Sequence, residues 1–293
     1  MKKQIVYSSF LAMLVALTFS ACKKQQEVDN ETQTVVDNAL CEQQFMAVAP
    51  VVNEKGAGSP KNQGFKINIC GTGDWFYPAN TGATPTATPG LFATGEYTAG
   101  AQTFTIDYGT GLCNDADGMK KEGKILITST HKWSIVDSLA NQVTPAVLIQ
   151  PTVTVTFDGY KADGVTYTGS VILTKPSLNT IRVKVINGHC SSGSWNIDFS
   201  CDKNITLTKA SGITTASIWG TSSGTNREGR TFETSIAQST PIIKKSNYKY
   251  ITSGVVDVTP NGFKTRTVDF GNGTDDNNAT FTVNGQTISF TMQ

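Results

Sequence analysis

Apolar and polar residues alternate with a period of two from Thr103 onward, in short runs broken by turn residues. Phe104, Ile106 and Tyr108 alternate with polar neighbours, as do Val153, Val155 and Phe157. Trp195, Ile197, Phe199 and Cys201 do the same. Successive side chains of a strand point to opposite faces, so each run has one face to bury, and Cys201 belongs to that face. Asp163-Gly164 and Asn284-Gly285 are two-residue hairpin signals, because both positions need φ > 0 and Asp, Asn and Gly tolerate it. Around the second turn Phe281 falls opposite Ile288, an apolar cross-strand pair. About a dozen strands with frequent turns predict an all-β fold, an antiparallel β-sandwich or a curved β-meander forming a half-barrel.

Upstream, Val35 to Ala49 is the one good helix candidate. At ~100° per residue Val35, Val36, Ala39, Leu40, Met46 and Ala47 share a face, and Pro50 is expected to end the run. This predicts one short N-terminal helix packed by that face on the β domain. Phe65 to Cys70 alternates like a strand, and Pro78 to Gly100 is a long Thr/Ala/Pro/Gly loop. Loops of that length inside a domain are commonly functional or disordered.

Two internal similarities stand out. Thr103 to Gly111 (TFTIDYGTG) matches Thr265 to Gly273 (TRTVDFGNG), and Lys121 to Ser129 (KEGKILITS) matches Arg227 to Ser235 (REGRTFETS). The two pairs have different spacings, which indicates reused strand-turn units and not a tandem array.

Met1 to Ala21 reads as an export signal, with Lys2 and Lys3 ahead of the mostly apolar Ile5 to Phe19. That run is shorter than the ~20 apolar residues a membrane span needs. Phe19 fits poorly three places before an ordinary cleavage site. Phe19-Ser20-Ala21-Cys22 instead resembles a lipobox, which makes Cys22 the lipidated residue. Lys23 to Thr34 is then a polar tether with nothing to bury. The chain thus divides into a signal (1–21), a lipidated cysteine with tether (22–34), a helix, strand and long loop (35–100), and the β domain (101–293).

The 24 Lys and Arg against 23 Asp and Glu, or 22 against 23 without Lys2 and Lys3, leave almost no net charge. That argues against nucleic acid as a partner. Besides Cys22 there are Cys41, Cys70, Cys113, Cys190 and Cys201. Outside the cytoplasm disulfides are expected among them, with at most two pairs and one thiol over. Cys190 and Cys201 are poor partners. If Ser191 to Ser194 turn a hairpin, residue 190 faces 195, and Cys201 lies too far along at ~3.3 Å per residue.

Three segments carry a resemblance. They are Ile106-Asp107-Tyr108-Gly109-Thr110-Gly111, Ser223-Gly224-Thr225-Asn226-Arg227-Glu228-Gly229-Arg230 and Thr267-Val268-Asp269-Phe270-Gly271-Asn272-Gly273-Thr274. Together they resemble the C-terminal region of an uncharacterised lipoprotein family common in Bacteroidetes, over roughly residues 100 to 293 and more weakly at the helix. The resemblance implies an envelope location and this fold, and no activity. Family members often carry cysteines near Tyr248 and where this chain has Asp275. Lys23 directly after Cys22 resembles outer-membrane lipoproteins, with the periplasmic and cell-surface faces both open.

Few residues invite chemistry. Gly220-Thr221-Ser222-Ser223-Gly224 matches G-x-S-x-G, but a nucleophile elbow needs a strand running into a helix, which this Thr/Ser/Gly-rich stretch does not predict. His131 and His189 are the sole histidines, and no Cys-x-x-Cys, His-Glu-x-x-His or haem-attachment motif occurs, so neither metal nor cofactor is expected. Asp115-Ala116-Asp117-Gly118 has two close carboxylates, but Lys124 stands where an EF-hand requires Glu, and an acidic turn is expected. Trp75, Phe76 and Tyr77 lead into the long loop. Three adjacent aromatics cannot share one strand face, so they are the binding candidates, suited to sugar stacking or a protein contact. Asp137-Ser138-Leu139 resembles the acceptor of protein O-glycosylation in Bacteroidetes, at Ser138.

The expectation is a non-catalytic, lipid-anchored envelope protein of the outer membrane with a binding or structural role, contacting glycan or another envelope protein. The alternative is a carrier of an apolar ligand in a half-open barrel, with a hydrolase third. A carrier needs an apolar cavity, whereas a binder has a filled core.

Overall fold

Among the described residues fifteen strands join into one antiparallel sheet wrapped against one helix. The computed structural model describes residues 29, 31–57, 72–76, 102–115, 117–129, 152–177 and 180–292, with backbone alone at 50–57, 72–76, 102–104, 129 and 177. Thr32–Gln293 form one compact unit. Helix α1 spans Gln33–Ala57. The strands are β1 (Thr72–Phe76), β2 (Gln102–Asp107), β3 (Cys113–Asn114), β4 (Lys120–Ser129), β5 (Thr152–Ala162), β6 (Val165–Ser177), β7 (Thr180–Ser192) and β8 (Trp195–Ala210). They continue with β9 (Ile213–Thr225), β10 (Thr231–Ile236), β11 (Ile242–Lys245), β12 (Ile251–Pro260), β13 (Arg266–Asn272), β14 (Asn278–Val283) and β15 (Gln286–Thr291).

Almost every strand pairs with its neighbour in sequence, the arrangement that short hairpin turns produce. β10 and β11 both lie between β9 and β12 and together fill one lane, while the two-residue β3 pairs only with β4. The predicted turns are present. Asp163 and Gly164 have φ of 48° and 82°, Asn284 and Gly285 of 54° and 74°, and Phe281 pairs with Ile288. The β7–β8 turn is tighter than expected, with Ser192 opposite Trp195. Cys190 therefore faces Ile197 and Cys201 faces Val185, which still keeps those two cysteines apart.

The first internal similarity is structural. In both copies the Asp side chain accepts the N–H of the glycine two residues on, Asp107 from Gly109 and Asp269 from Gly271, each at 2.8 Å. The residue between them, Tyr108 or Phe270, goes into the core. The second similarity does not share a geometry, since Gly123 lies within β4 and Gly229 in the turn before β10.

The helix departs from expectation twice. It continues through Pro50, which removes one N–H from the ladder but has a helical φ. It is also enclosed and not merely packed by one face. Val35, Leu40, Phe45 and Met46 are buried, and so are Thr34, Asp37, Asn38, Glu42, Gln43 and Gln44. It packs against β6, β7 and β8 on one side and β12 on another, which the curl of the sheet brings round it. Phe45 anchors the contact, stacked on Phe199 at 5.5 Å and edge-on to Tyr167 and Phe157 at 5.9 and 6.0 Å. Gly188 on β7 makes room for it. A Cβ there would lie 3.0 Å from the Phe45 ring and 2.6 Å from the Phe199 carbonyl oxygen.

Candidate functional site

Polar residues of α1 meet charged and hydroxyl side chains of β8, β9, β10 and the β9–β10 turn in one buried seam. β8 turns Ile197, Phe199, Cys201, Lys203 and Ile205 inward in strict alternation. Lys203 is thereby carried into the core, where its ammonium meets Glu42, both side chains being fully buried. Two such charges persist in a core only as a pair, because either alone would retain its desolvation cost without an answering charge. Ser222 on β9 donates to Glu42 Oε1 at 3.1 Å and shares a short hydrogen bond with Thr234 on β10.

A second group clasps the start of the helix. Asp37 accepts the backbone N–H of Arg227 at 2.8 Å and both Nε and Nη2 of its guanidinium at 2.6 Å, with Gln33 Nε2 at 2.8 Å. The guanidinium lies over the Trp195 ring, 4.2 Å from its centroid. Asn226, 1% exposed, accepts the N–H groups of Glu228 and Arg230 and donates to Thr34 Oγ1 at 3.0 Å. The Asn226-Arg227-Glu228-Gly229-Arg230 segment is thus a tight turn that ties itself closed and grips α1.

Within this seam the polar side chains are paired with one another across the helix–sheet contact. Ser222 sits within β9 and not at a strand-to-helix elbow, its hydroxyl is engaged on both sides, and it is 5% exposed. The acidic turn is answered internally as well. Lys121 places its ammonium 2.6 Å from Asp115 and 2.7 Å from Asp117, where a cation ligated by this pair would sit. Burial works against that charge, but Tyr160, Tyr108, Asp117 and Asp115 together hold the Lys121 pKa well above its ordinary value. Among the described residues no three His, Cys, Asp or Glu side chains gather as a metal site. His189 faces Asp198 across β7–β8 with Nδ1 at 2.9 Å, while the adjacent Cys190 turns to the core, so the two do not converge.

The aromatic candidates are only partly placed. Trp75 and Phe76 belong to β1, which ends the described sheet opposite Phe104 and Thr103. Their side chains, Tyr77, Ser138, Cys22, Cys70, His131, the Phe65–Cys70 strand and the Pro78–Gly100 loop lie outside the described residues. No disulfide joins two described cysteines; Cys41, Cys190 and Cys201 are free and buried. Among the described residues no helix is long and apolar enough to cross a membrane.

The seam itself escaped sequence reading, although one signal was present. Lys203 interrupts an otherwise apolar inward row on β8, and a charge at such a position needs a buried partner. No protein-family model, curated protein or solved structure matches this chain.

Proposed function

We propose that this chain is an envelope lipoprotein, anchored through Cys22, that acts as a non-catalytic binding or structural element of the outer membrane. The observation behind this reading is the burial of α1 against the described sheet. The space a carrier would keep for an apolar ligand is occupied by α1, and its contacts there include the Glu42–Lys203 ion pair. A charged, hydrogen-bonded plug is a poor lining for a lipid tail, since transferring an apolar group there would strip partners from buried charges. Recognition then falls to the outer face and the sheet edges. The β1 end of the described sheet, which carries Trp75 and Phe76, is the first surface to examine for glycan or envelope-protein contact.

Native mass spectrometry of the exported protein tests the reading. A bare mass is expected. A lipid-sized adduct lost on mild activation would overturn it in favour of the carrier. Fractionation of the same cells is expected to place the protein with the outer membrane and to release a Cys22→Ala variant from it.

A further inference from the structure

Two cysteines meet where α1 lies on β7. Cys41 and Cys190 are both fully buried, 149 residues apart in sequence, with their sulfurs 3.2 Å apart. A disulfide has a sulfur separation of ~2.05 Å, so closing the bond asks for movement of about 1 Å. We propose that Cys41 and Cys190 form a disulfide that fastens the plug helix, and with it the tether and lipid anchor, to the sheet. In the step each thiol gives up its proton, the two sulfurs lose two electrons in forming the S–S bond, and a disulfide oxidant accepts those electrons and leaves as two thiols.

The alternatives open in the sequence narrow at this site. Cys201 faces Val185, five residues along β7 from Cys190, and its thiol points to the Val183 carbonyl at 3.9 Å. At ~3.3 Å per residue the two thiols lie well beyond disulfide reach. Cys201 is a free thiol buried in the core.

The surroundings also set when the bond forms. Tyr167 stands opposite Cys190 on β6, and Phe45 follows Cys41 by one helical turn and packs on Tyr167. This aromatic cover excludes water, and burial, reinforced by the neighbouring thiol, pushes the Cys41 pKa well up. Exchange needs a thiolate, so the closed fold resists both oxidation and reduction at this point. The bond forms while the helix is docking and is sealed once docking is complete.

The oxidising compartment in this account comes from the envelope location under Proposed function, so the test separates the two. The full chain is refolded from denaturant with oxidised glutathione, its remaining thiols are alkylated under denaturing conditions, and its peptides are mapped. The expected result is a Cys41 peptide joined to a Cys190 peptide, 2 Da below the sum of the free thiols, with Cys201 alkylated. In native buffer the link is expected to survive hours of dithiothreitol, and in denaturant to break within minutes. Its thermal midpoint is expected to exceed that of a Cys41→Ser/Cys190→Ser variant by roughly 5–15 °C. Alkylation of both Cys41 and Cys190, or pairing of either with another cysteine, would overturn the proposal. Rapid reduction in native buffer would overturn the sealed arrangement. A link made in refolding but missing from the cellular protein would instead count against the envelope location.

Discussion

Arg227 and Asp37, separated by 190 residues of sequence, are joined by two guanidinium N–H groups on one carboxylate oxygen, each at 2.6 Å. The backbone N–H of Arg227 takes the other oxygen. Asp37 is fully buried and the Arg227 side chain is partly exposed, which makes this contact a clasp between the turn and the helix. Arg227→Ala leaves a buried carboxylate without its cation, and is expected to cost about 3 kcal/mol in urea unfolding. Arg227→Lys keeps a charge but loses the planar group over Trp195, at about half that cost. A loss below about 0.5 kcal/mol for the alanine variant would mean that the turn does not hold the helix.

Glu42 and Lys203 allow a sharper test, because both side chains are sealed from water. Each single change, Glu42→Leu or Lys203→Met, is expected to destabilise by roughly 3–5 kcal/mol. The double variant Glu42→Leu/Lys203→Met removes both charges and is expected to recover most of that loss. Additive single and double effects would show that the two groups act independently.

How far the chain can be read follows from the range of each interaction. The hairpins at Asp163-Gly164 and Asn284-Gly285, the inward position of Cys201 and the strand alternation depend on neighbours a few residues apart. Sequence carries such signals directly. The enclosure of α1 depends on partners 161 and 190 residues away, Lys203 and Arg227, which no local window contains. The apolar face of the helix therefore carries no sign that Asp37 and Glu42 also meet partners on the curled sheet. The motif Asn226-Arg227-Glu228-Gly229-Arg230 was visible as a motif, but its grip on Thr34 and Asp37 required the fold.

Gly188 tests the fit of the helix on β7. A methyl group there would stand 2.6 Å from both the Phe199 carbonyl oxygen and Val185 Cγ1, besides touching the Phe45 ring. Gly188→Ala is expected to lose about 2–3 kcal/mol by calorimetry or urea titration. Phe45→Leu in the same chain should not restore it, because the Phe199 carbonyl belongs to the backbone. Full rescue would place the strain in the aromatic cluster instead.

Lys244 gives the chain a pH signature. It is 6% exposed, donates to the carbonyls of Tyr248 and Lys249, and burial lowers its pKa from 10.5 to about 8. Between those values the unfolded chain still binds the proton and the folded chain has released it, so this residue's contribution to stability rises with pH. Relative to Lys244→Met, the native protein is expected to gain up to roughly 3 kcal/mol as pH goes from 8 to 10.5. The subtraction matters, because burial also raises the Cys201 pKa from 9.0 to about 12. That thiol contributes stability below pH 9 and loses it as pH rises toward 12, opposing the lysine in the total curve. Parallel pH profiles for the native protein and Lys244→Met would show that the ammonium is not desolvated.

One polar group in the helix works against the fold. Gln43 is 1% exposed, and neither its amide nitrogen nor its amide oxygen has a hydrogen-bond partner among the described residues. Its neighbours in the seam are answered by Lys203, Ser222 and Arg227, so the burial of Gln43 follows from its position between Glu42 and Gln44 on an enclosed helix. An unanswered buried amide costs about 1–3 kcal/mol, and a thioether of similar length carries no such penalty. Gln43→Met is therefore expected to stabilise the protein by about 1–2 kcal/mol in urea unfolding, against the usual direction of a core substitution. A loss of that size would mean that the amide is answered in solution and that the seam extends one residue further along the helix.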